Sequence, residues 1–285
     1  MQPDIAIDDA AQQLAAVGYL PTREVAGAVY LAERLGRPLL IEGPAGVGKT
    51  ALGRAVAAWR QVPLVRLQCY EGLDASQALY DWDYPRQLLA ARLAAEGQEG
   101  ALASLYGPAF LMERPLLRAL RASPAPVLLI DEVDRADEAF EALLLEFLGE
   151  FQVTIPEIGT VSAAAPPRVM LTSNRTRDLS DALRRRCLYL WLDYPDPDRE
   201  ANIIRLAAPE VEGELARAVA AALAQLRPLA LMKPPGLAEA LDWARALTVL
   251  GWGALTPEAV SATLPAVVKT AEDLDVVRRR GWPGP

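Results

Sequence analysis

One segment of the sequence has the residue types and the spacing that bind nucleotide phosphates. Its glycines, lysine and threonine follow the pattern G-x-x-x-x-G-K-[ST], between an apolar run and an amphipathic stretch. Such glycines let successive backbone N–H groups turn toward phosphate oxygens, and the following helix adds the positive end of its dipole. We expect Lys49 to reach the β- and γ-phosphates and Thr50 to place its hydroxyl on Mg²⁺. The expected nucleotide-binding residues are Gly43, Pro44, Ala45, Gly46, Val47, Gly48, Lys49, Thr50 and Ala51.

Two adjacent carboxylates, Asp131 and Glu132, follow the apolar run at residues 127–130. Ligands of open α/β sheets bind at the carboxyl ends of the strands, so this run would deliver both side chains to a ligand site. There Asp131 would orient a water on Mg²⁺, which makes Thr50 and Asp131 the expected metal residues, and Glu132 would polarise an attacking water as a general base. Acidic residues also commonly begin helices, which is the alternative interpretation. The phosphate-binding pattern upstream favours the catalytic one.

Two later segments offer groups that could complete such a site. Asn174 follows the apolar run at residues 169–172 and could hold the hydrolytic water, although asparagine at a strand end is also a common turn residue. The basic run at residues 184–186 precedes another apolar run, and an arginine there could reach ATP bound by a neighbouring subunit. Arg186 is the first choice for this role and Arg185 the second, with a solvated helix end as the alternative. The predicted catalytic residues are therefore Lys49, Glu132, Asn174 and Arg186.

These residues need a scaffold, and the hydrophobic pattern indicates an α/β fold. Short runs rich in Val, Ile and Leu alternate with stretches of helical periodicity, which is typical of buried parallel strands joined by helices. The sequence therefore predicts a core with a five-stranded parallel sheet. The predicted strands are residues 38–41, 64–67, 127–130, 169–172 and 188–192.

Two regions depart from this alternation. Phe151, Val153 and Ile155 alternate with polar residues before a turn at residues 156–159, which predicts a β-hairpin insertion. After residue 195 only helical patterns follow, including a helix that should begin with Thr256 as its N-cap and Pro257 at its first position. We therefore expect a nucleotide-binding α/β domain over residues 1–195 and a smaller all-α lid domain over residues 196–285.

Composition excludes several other kinds of site. The 285 residues include 2 cysteines and no histidine, so neither a zinc cluster, a disulfide framework nor an imidazole base can be built, and carboxylates must supply any base. The net charge of −8 argues against nucleic acid as a main partner. The N-terminus lacks a basic region followed by an apolar core, and no stretch approaches the roughly 20 apolar residues of a membrane span. We expect a cytoplasmic protein.

Taken in order, GPAGVGKT, LLIDEVD, LTSN and DALRRRC are similar to the Walker A, Walker B, sensor 1 and arginine-finger segments of AAA+ ATPases. The chain resembles the MoxR branch of that family more narrowly, from about residue 25 to residue 268. This resemblance implies the AAA+ P-loop NTPase fold, binding of ATP and ADP with Mg²⁺, and ATP hydrolysis. It also implies a homo-hexameric ring whose active sites lie between subunits.

Residues 69–74 and 79–84 resemble the CoxD-like group, ATPases encoded with molybdenum-containing carbon monoxide dehydrogenases. That resemblance implies a remodelling chaperone that matures a metalloenzyme client, together with a partner that has a von Willebrand factor A domain. The aromatic and acidic residues at 80–84 would form either a partner loop or a packed loop. One departure concerns the lid, because the segment at residues 232–236 lacks the sensor 2 arginine of MoxR-type lids. Lys233 could replace it only as a point charge.

Three other function classes remain as alternatives. A GTPase-type switch would need an N-K-x-D segment, which the nearest candidate at residues 174–178 does not match. A DNA-associated AAA+ motor would need a basic stripe, which this acidic chain lacks. A small-molecule kinase fits less well, because the adjacent Asp131 and Glu132 suit water activation better than phosphate transfer to a metabolite.

Overall fold

The computed structural model describes residues 3–95 and 105–280, so the outer limits of the two predicted domains, residues 1 and 285, lie outside the described residues. The strands are β1 (Leu39–Glu42), β2 (Leu64–Gln68), β3 (Tyr80–Trp82), β4 (Leu111–Glu113), β5 (Val127–Asp131), β6 (Gln152–Ile155), β7 (Gly159–Ser162), β8 (Arg168–Ser173) and β9 (Leu188–Trp191). The helices are α1 (Pro3–Ala16), α2 (Arg23–Leu35), α3 (Lys49–Arg60), α4 (Ala75–Ala78), α5 (Tyr84–Ala95), α6 (Pro115–Arg121), α7 (Glu138–Glu150), α8 (Asp181–Arg186), α9 (Pro197–Ala207), α10 (Gly213–Leu226), α11 (Leu237–Val249), α12 (Pro257–Thr263) and α13 (Ala271–Arg279).

Five strands form a parallel sheet in the order β2-β5-β8-β1-β9. Strands β1 and β5 are buried along their whole length, as expected where helices cover both faces of a sheet. At the carboxyl ends, Gln68 pairs with Asp131 and Glu42 pairs with Ser173. The structure thus confirms the predicted α/β fold, with a strand at each of the five apolar runs.

Two small antiparallel pairs lie outside this sheet. Strands β6 and β7 pair with Ile155 opposite Gly159, which confirms the predicted hairpin. Strands β3 and β4 form a second pair that the sequence analysis did not predict. In this pair Trp82 is buried in the core, whereas Tyr84, at the start of α5, is 61% exposed. The stretch at residues 80–84 is therefore part packed strand and part exposed helix.

The described chain forms two compact units. The first comprises the residues up to 17, residues 21–42 and residues 50–191. Its core packs sheet residues such as Leu128, Ile130 and Leu171 with Phe140 and Phe147 of α7. All of these side chains are essentially inaccessible to solvent. This unit contains the whole parallel sheet and therefore fixes the carboxyl ends of its strands.

The second unit comprises residues 18–20, the loop at residues 43–49 and the helical region from residue 192 onward. Trp243 is fully buried in its core, where its indole Nε1 donates to the Thr263 hydroxyl at 2.7 Å. The Thr256 hydroxyl accepts from the Ala259 backbone N–H at 3.2 Å, with Pro257 at the first helical position, as predicted. The C-terminal region is thus helical. A domain boundary after residue 195 remains a prediction.

Candidate functional site

Asp131 is the centre of a buried hydrogen-bond cluster in the first unit. Strand β5 ends at this residue, which is only 2% exposed. The Thr50 hydroxyl lies 3.0 Å from its Oδ1 and 3.1 Å from its Oδ2, and the Thr172 hydroxyl donates to Oδ1 at 2.5 Å. Arg66 donates to Oδ2 from Nε at 3.0 Å and from Nη2 at 2.6 Å. Three side chains, those of Thr50, Thr172 and Arg66, thus converge on this one carboxylate.

Thr172 joins this cluster to Glu132. Its hydroxyl donates to Asp131 and accepts from the Glu132 backbone N–H at 2.9 Å. Glu132 has a left-handed backbone with φ of 55°, which is uncommon for a residue other than glycine and is concentrated at functional sites. Its carboxylate is partly exposed and pairs with Arg135 at 2.8 Å. Thr172 therefore helps to set the backbone from which the predicted base projects.

A second buried carboxylate, Asp134, holds the loop that contains Asn174. Its Oδ2 accepts from the backbone N–H groups of Asn174 at 3.2 Å and Thr176 at 2.8 Å, and from the Thr176 hydroxyl at 2.8 Å. Asp134 is 2% exposed, and its Oδ1 has no hydrogen-bond partner among the described residues. Asn174 is thus anchored by its backbone just beyond β8, and its side chain is partly exposed.

The glycine-rich loop belongs to the second unit and is held by its own lysine. Lys49 is buried, and its Nζ donates to the carbonyls of Gly43 at 2.8 Å and Pro44 at 2.6 Å. Gly46 has φ of 78°, and a Cβ there would lie 2.9 Å from the Gly236 Cα. The position therefore requires glycine for its backbone conformation and also for its close neighbour.

The lid segment at residues 232–236 contacts this loop through backbone rather than through a cation. The Leu237 N–H, at the start of α11, donates to the Gly46 carbonyl at 2.8 Å. Lys233 is exposed, and its backbone N–H donates to the Asp273 carboxylate at 3.0 Å. Burial opposes ionisation of Asp273, but hydrogen bonds from Met232 and Lys233 outweigh it and lower the pKa of this carboxyl.

The three arginines of α8 have different environments in the first unit. Arg184 grips the buried Glu42 carboxylate with both terminal nitrogens, at 2.9 Å and 3.2 Å. Arg186 is exposed and donates from Nη1 to the Leu145 carbonyl of α7. Arg185 is also exposed; its carbonyl accepts from Arg37 Nη2 at 2.6 Å, and its guanidinium makes no hydrogen bond to the described residues. Both candidate arginine fingers are therefore at the surface.

Three residues of this arrangement were missed by the sequence analysis: Arg66, Thr172 and Asp134. For each of them the sequence contains only a weak indication. Arg66 interrupts the apolar run of β2, Thr172 sits two positions before Asn174, and Asp134 follows the acidic pair by two positions. Their importance depends on which strands are neighbours, and the sequence alone does not give that order.

The donor set fits a hard divalent cation such as Mg²⁺. Thr50 gives its hydroxyl proton to Asp131 and keeps its oxygen lone pairs, and both residues offer the oxygen ligands that Mg²⁺ prefers. Within the described ranges, no group of three or more Cys, Asp or Glu residues could hold a metal ion. None of the helices described is long and apolar enough to cross a membrane.

The buried thiol of Cys69 has a raised pKa, and carboxylates at this edge of the sheet contribute to the shift. Burial, and then the nearby Asp131, Asp134 and Glu132, raise the pKa of Cys69 to about 12. The thiol is therefore neutral at ordinary pH and does not supply a nucleophile.

Residues 38–187 match the AAA domain (dynein-related subfamily). An uncharacterised protein of Staphylococcus haemolyticus is 27% identical over 177 residues, which cover 60% of this chain and 61% of that protein. An uncharacterised protein of Staphylococcus aureus is 26% identical over the same shares. The match thus spans less than two thirds of the length of these curated relatives.

Solved structures of RuvB from Thermotoga maritima have a similar fold. A proline-to-glycine variant of that protein aligns with a TM-score of 0.53 at 19% identity, covering 98% of this chain and 79% of that one. A structure described as the RuvB Holliday junction branch migration motor aligns with a TM-score of 0.50 at 18% identity, covering 98% and 78%. Likeness at this level of identity concerns the fold alone.

Proposed function

Because the chain belongs to the AAA domain family, dynein-related subfamily, we propose that it hydrolyses ATP and couples hydrolysis to the remodelling of a client protein. Its fold is the AAA+ P-loop fold. The hydrogen bond from Thr50 to the buried Asp131 is the observation that carries this proposal. It joins the threonine of the glycine-rich loop to an acidic strand end, as a magnesium-nucleotide site requires.

The proposed roles follow from these contacts. Lys49 would exchange its bonds to the Gly43 and Pro44 carbonyls for bonds to phosphate oxygens, and Thr50 and Asp131 would hold Mg²⁺. Neutralisation of charge on the β- and γ-phosphates is what Mg²⁺ supplies when bound. The nucleotide would lie along the loop from residue 43 to residue 51, where the glycine N–H groups would bind its phosphates.

Glu132 and Asn174 would handle the attacking water. Glu132 is partly exposed at a strand end, so its carboxylate can accept a proton from water once Arg135 releases it. Asn174 would orient that water, and Asp134 would keep its loop in place.

We further propose that the active unit is a homo-hexameric ring in which Arg186, or Arg185 in its place, reaches the ATP of a neighbouring subunit. Both arginines are exposed, which supports the idea that they act between chains. Arg186→Ala and Arg185→Ala should each be mixed with Lys49→Ala, which lacks the phosphate-binding amine. Partial recovery of hydrolysis in one mixture identifies the arginine that acts across the boundary. Activity strictly proportional to monomer concentration, with no ring by light scattering, would refute the shared site.

The proposed client is a metalloenzyme, and the proposed co-partner is a protein with a von Willebrand factor A domain, both in the cytoplasm. The support is the MoxR resemblance of about residues 25–268 and the CoxD-like resemblance of residues 69–74 and 79–84, together with the AAA domain match. The staphylococcal relatives are uncharacterised and add no client. A DNA-associated motor is the alternative outcome, and DNA-stimulated hydrolysis would favour it over a protein client.

Substitution of the proposed base tests the activity directly. Glu132→Gln should abolish Mg²⁺-dependent ATP hydrolysis while ATP binding survives, because the amide cannot accept the proton from water. Glu146→Gln is the matched control, since Glu146 is an exposed glutamate in the middle of α7. Affinity purification of Glu132→Gln with ATP should then retain the client. Hydrolysis at the rate of the unmodified chain in Glu132→Gln would show that Glu132 is not the base.

A further inference from the structure

Arg66 is a cation at the proposed metal site to which the hydrolysis proposal gives no role. It lies on β2, whose neighbour in the sheet is β5. Its guanidinium donates twice to Asp131 Oδ2, at 3.0 Å and 2.6 Å, and once to the Gln68 side chain. The Arg66 side chain is 43% exposed, whereas that of Asp131 is 3% exposed. A solvent-accessible cation thus covers a buried carboxylate.

The contacts of Asp131 leave little room for another donor. A carboxylate offers about four lone-pair sites on its two oxygens. Thr172 and Thr50 contact Oδ1, and the two nitrogens of Arg66 contact Oδ2, which also lies 3.1 Å from the Thr50 hydroxyl. A water on Mg²⁺ that donates to this carboxylate would therefore need an oxygen that Arg66 already uses. The positive charge of Arg66 also disfavours a divalent cation nearby.

We propose that Arg66 is a positioning residue that holds Asp131 in the nucleotide-free chain and competes with Mg²⁺ for it. This rests on the proposed ATP-binding function. Arg66 thereby sets the Mg²⁺ concentration at which nucleotide binds tightly. Gln68 supports this role, because its side-chain oxygen fixes the guanidinium while its backbone pairs with Asp131.

A purely structural ion pair would have different consequences. Asp131 keeps two hydroxyl donors, Thr50 and Thr172, when Arg66 is removed, so the carboxylate remains hydrogen-bonded. Without the Arg66 guanidinium, Asp131 Oδ2 is more available to other donors, and the charge of the site is more negative. The competition model predicts tighter Mg²⁺ binding after neutralisation, whereas a structural pair predicts only lower stability.

The test titrates Mg²⁺ against binding of a fluorescent N-methylanthraniloyl derivative of ATP, with EDTA as the zero point. Arg66→Gln should lower the Mg²⁺ midpoint by about tenfold or more, equivalent to about 1.4 kcal/mol, and should leave nucleotide affinity in EDTA unchanged. Arg66→Lys retains the positive charge but not the bidentate geometry of the guanidinium. Its Mg²⁺ midpoint should therefore lie between those of Arg66→Gln and the unmodified chain.

Arg168→Gln is the matched control, because Arg168 is another half-exposed strand arginine paired with a mostly buried carboxylate, that of Glu33, at 3.0 Å. Its midpoint should equal that of the unmodified chain. An unchanged or raised midpoint in Arg66→Gln would overturn the competition model while leaving ATP binding intact. If Arg66→Gln does not fold by circular dichroism, a midpoint for Arg66→Lys equal to that of the unmodified chain would overturn it. Absence of nucleotide binding by the unmodified chain at every Mg²⁺ concentration would refute the proposed function, and this inference with it.

Discussion

Replacement of Thr172 by valine would test whether the acidic edge of the sheet works as one unit. The side chain is 1% exposed, and valine has nearly the same shape but no hydroxyl. Thr172→Val removes the 2.5 Å bond to Asp131 and the 2.9 Å bond from the Glu132 backbone N–H. Thr172→Ser is the matched variant, because it keeps the hydroxyl and loses only the methyl group.

The expected size of the effect follows from the two bonds. A hydrogen bond to a charged group contributes about 1.5–3 kcal/mol, and a buried N–H left without a partner costs about 1–3 kcal/mol. The apolar methyl gained by valine offsets part of this loss, so Thr172→Val should lower the free energy of unfolding by roughly 2–5 kcal/mol. Thr172→Ser should lower it by only about 1 kcal/mol.

Urea unfolding followed by circular dichroism measures the stability, and steady-state hydrolysis measures the function. A misplaced Glu132 should lower kcat of Thr172→Val by roughly a hundredfold, with little change in KM for ATP. Thr172→Ser should retain most of kcat. If the valine and serine variants were equally stable and equally active, Thr172 would not couple Asp131 to Glu132.

Two further changes concern the second unit. Gly236→Ala would place a Cβ 2.6 Å from the Gly46 Cα, so we expect a loss of about 1–3 kcal/mol in urea unfolding, whereas Gly253→Ala, with nothing within 4 Å, should have little effect. Asp273→Asn should lose about 1–2 kcal/mol at pH 7, and Asp275→Asn, on the exposed face of α13, should lose almost none. The pKa of Asp273 is lowered from 3.8, so its stabilisation is complete above that value and declines as pH falls through the folded-state pKa. The difference between Asp273→Asn and the unmodified chain should therefore shrink in unfolding measured below pH 3.8, and a constant difference would contradict the assignment.

The sequence predicted those parts of the fold that local patterns control. Parallel strands that are buried on both faces require continuous apolar runs, and β1 and β5, which are buried along their whole length, show this clearly. The hairpin followed from the alternation at Phe151, Val153 and Ile155, and the start of α12 followed from the capping chemistry of Thr256. Each of these signals is contained within a few consecutive residues.

The unpredicted parts depend on contacts between distant segments. Strands β3 and β4 are only three residues each and are separated by α5, so their pairing leaves no local pattern. In the sequence, Arg66 is a single polar residue in an apolar run. Its contact with Asp131 depends on the sheet order, which places β2 beside β5. Thr172 acquires its two partners only because β8 lies on the other side of β5. Sheet order is a global property, so these roles could not be read from spacing.

The geometry of α8 bears on the choice between the two candidate arginine fingers. Successive residues of a helix are rotated by about 100°, so Arg185 projects about 200° from Leu183 and Arg186 lies within about 60° of it. Leu183 is fully buried, which turns Arg186 toward its own chain, where it meets the Leu145 carbonyl. Arg185 then faces away from the core. This orientation favours Arg185 for a contact with a neighbouring subunit, unless assembly draws Arg186 away from α7, and the mixing experiment with Lys49→Ala distinguishes the two.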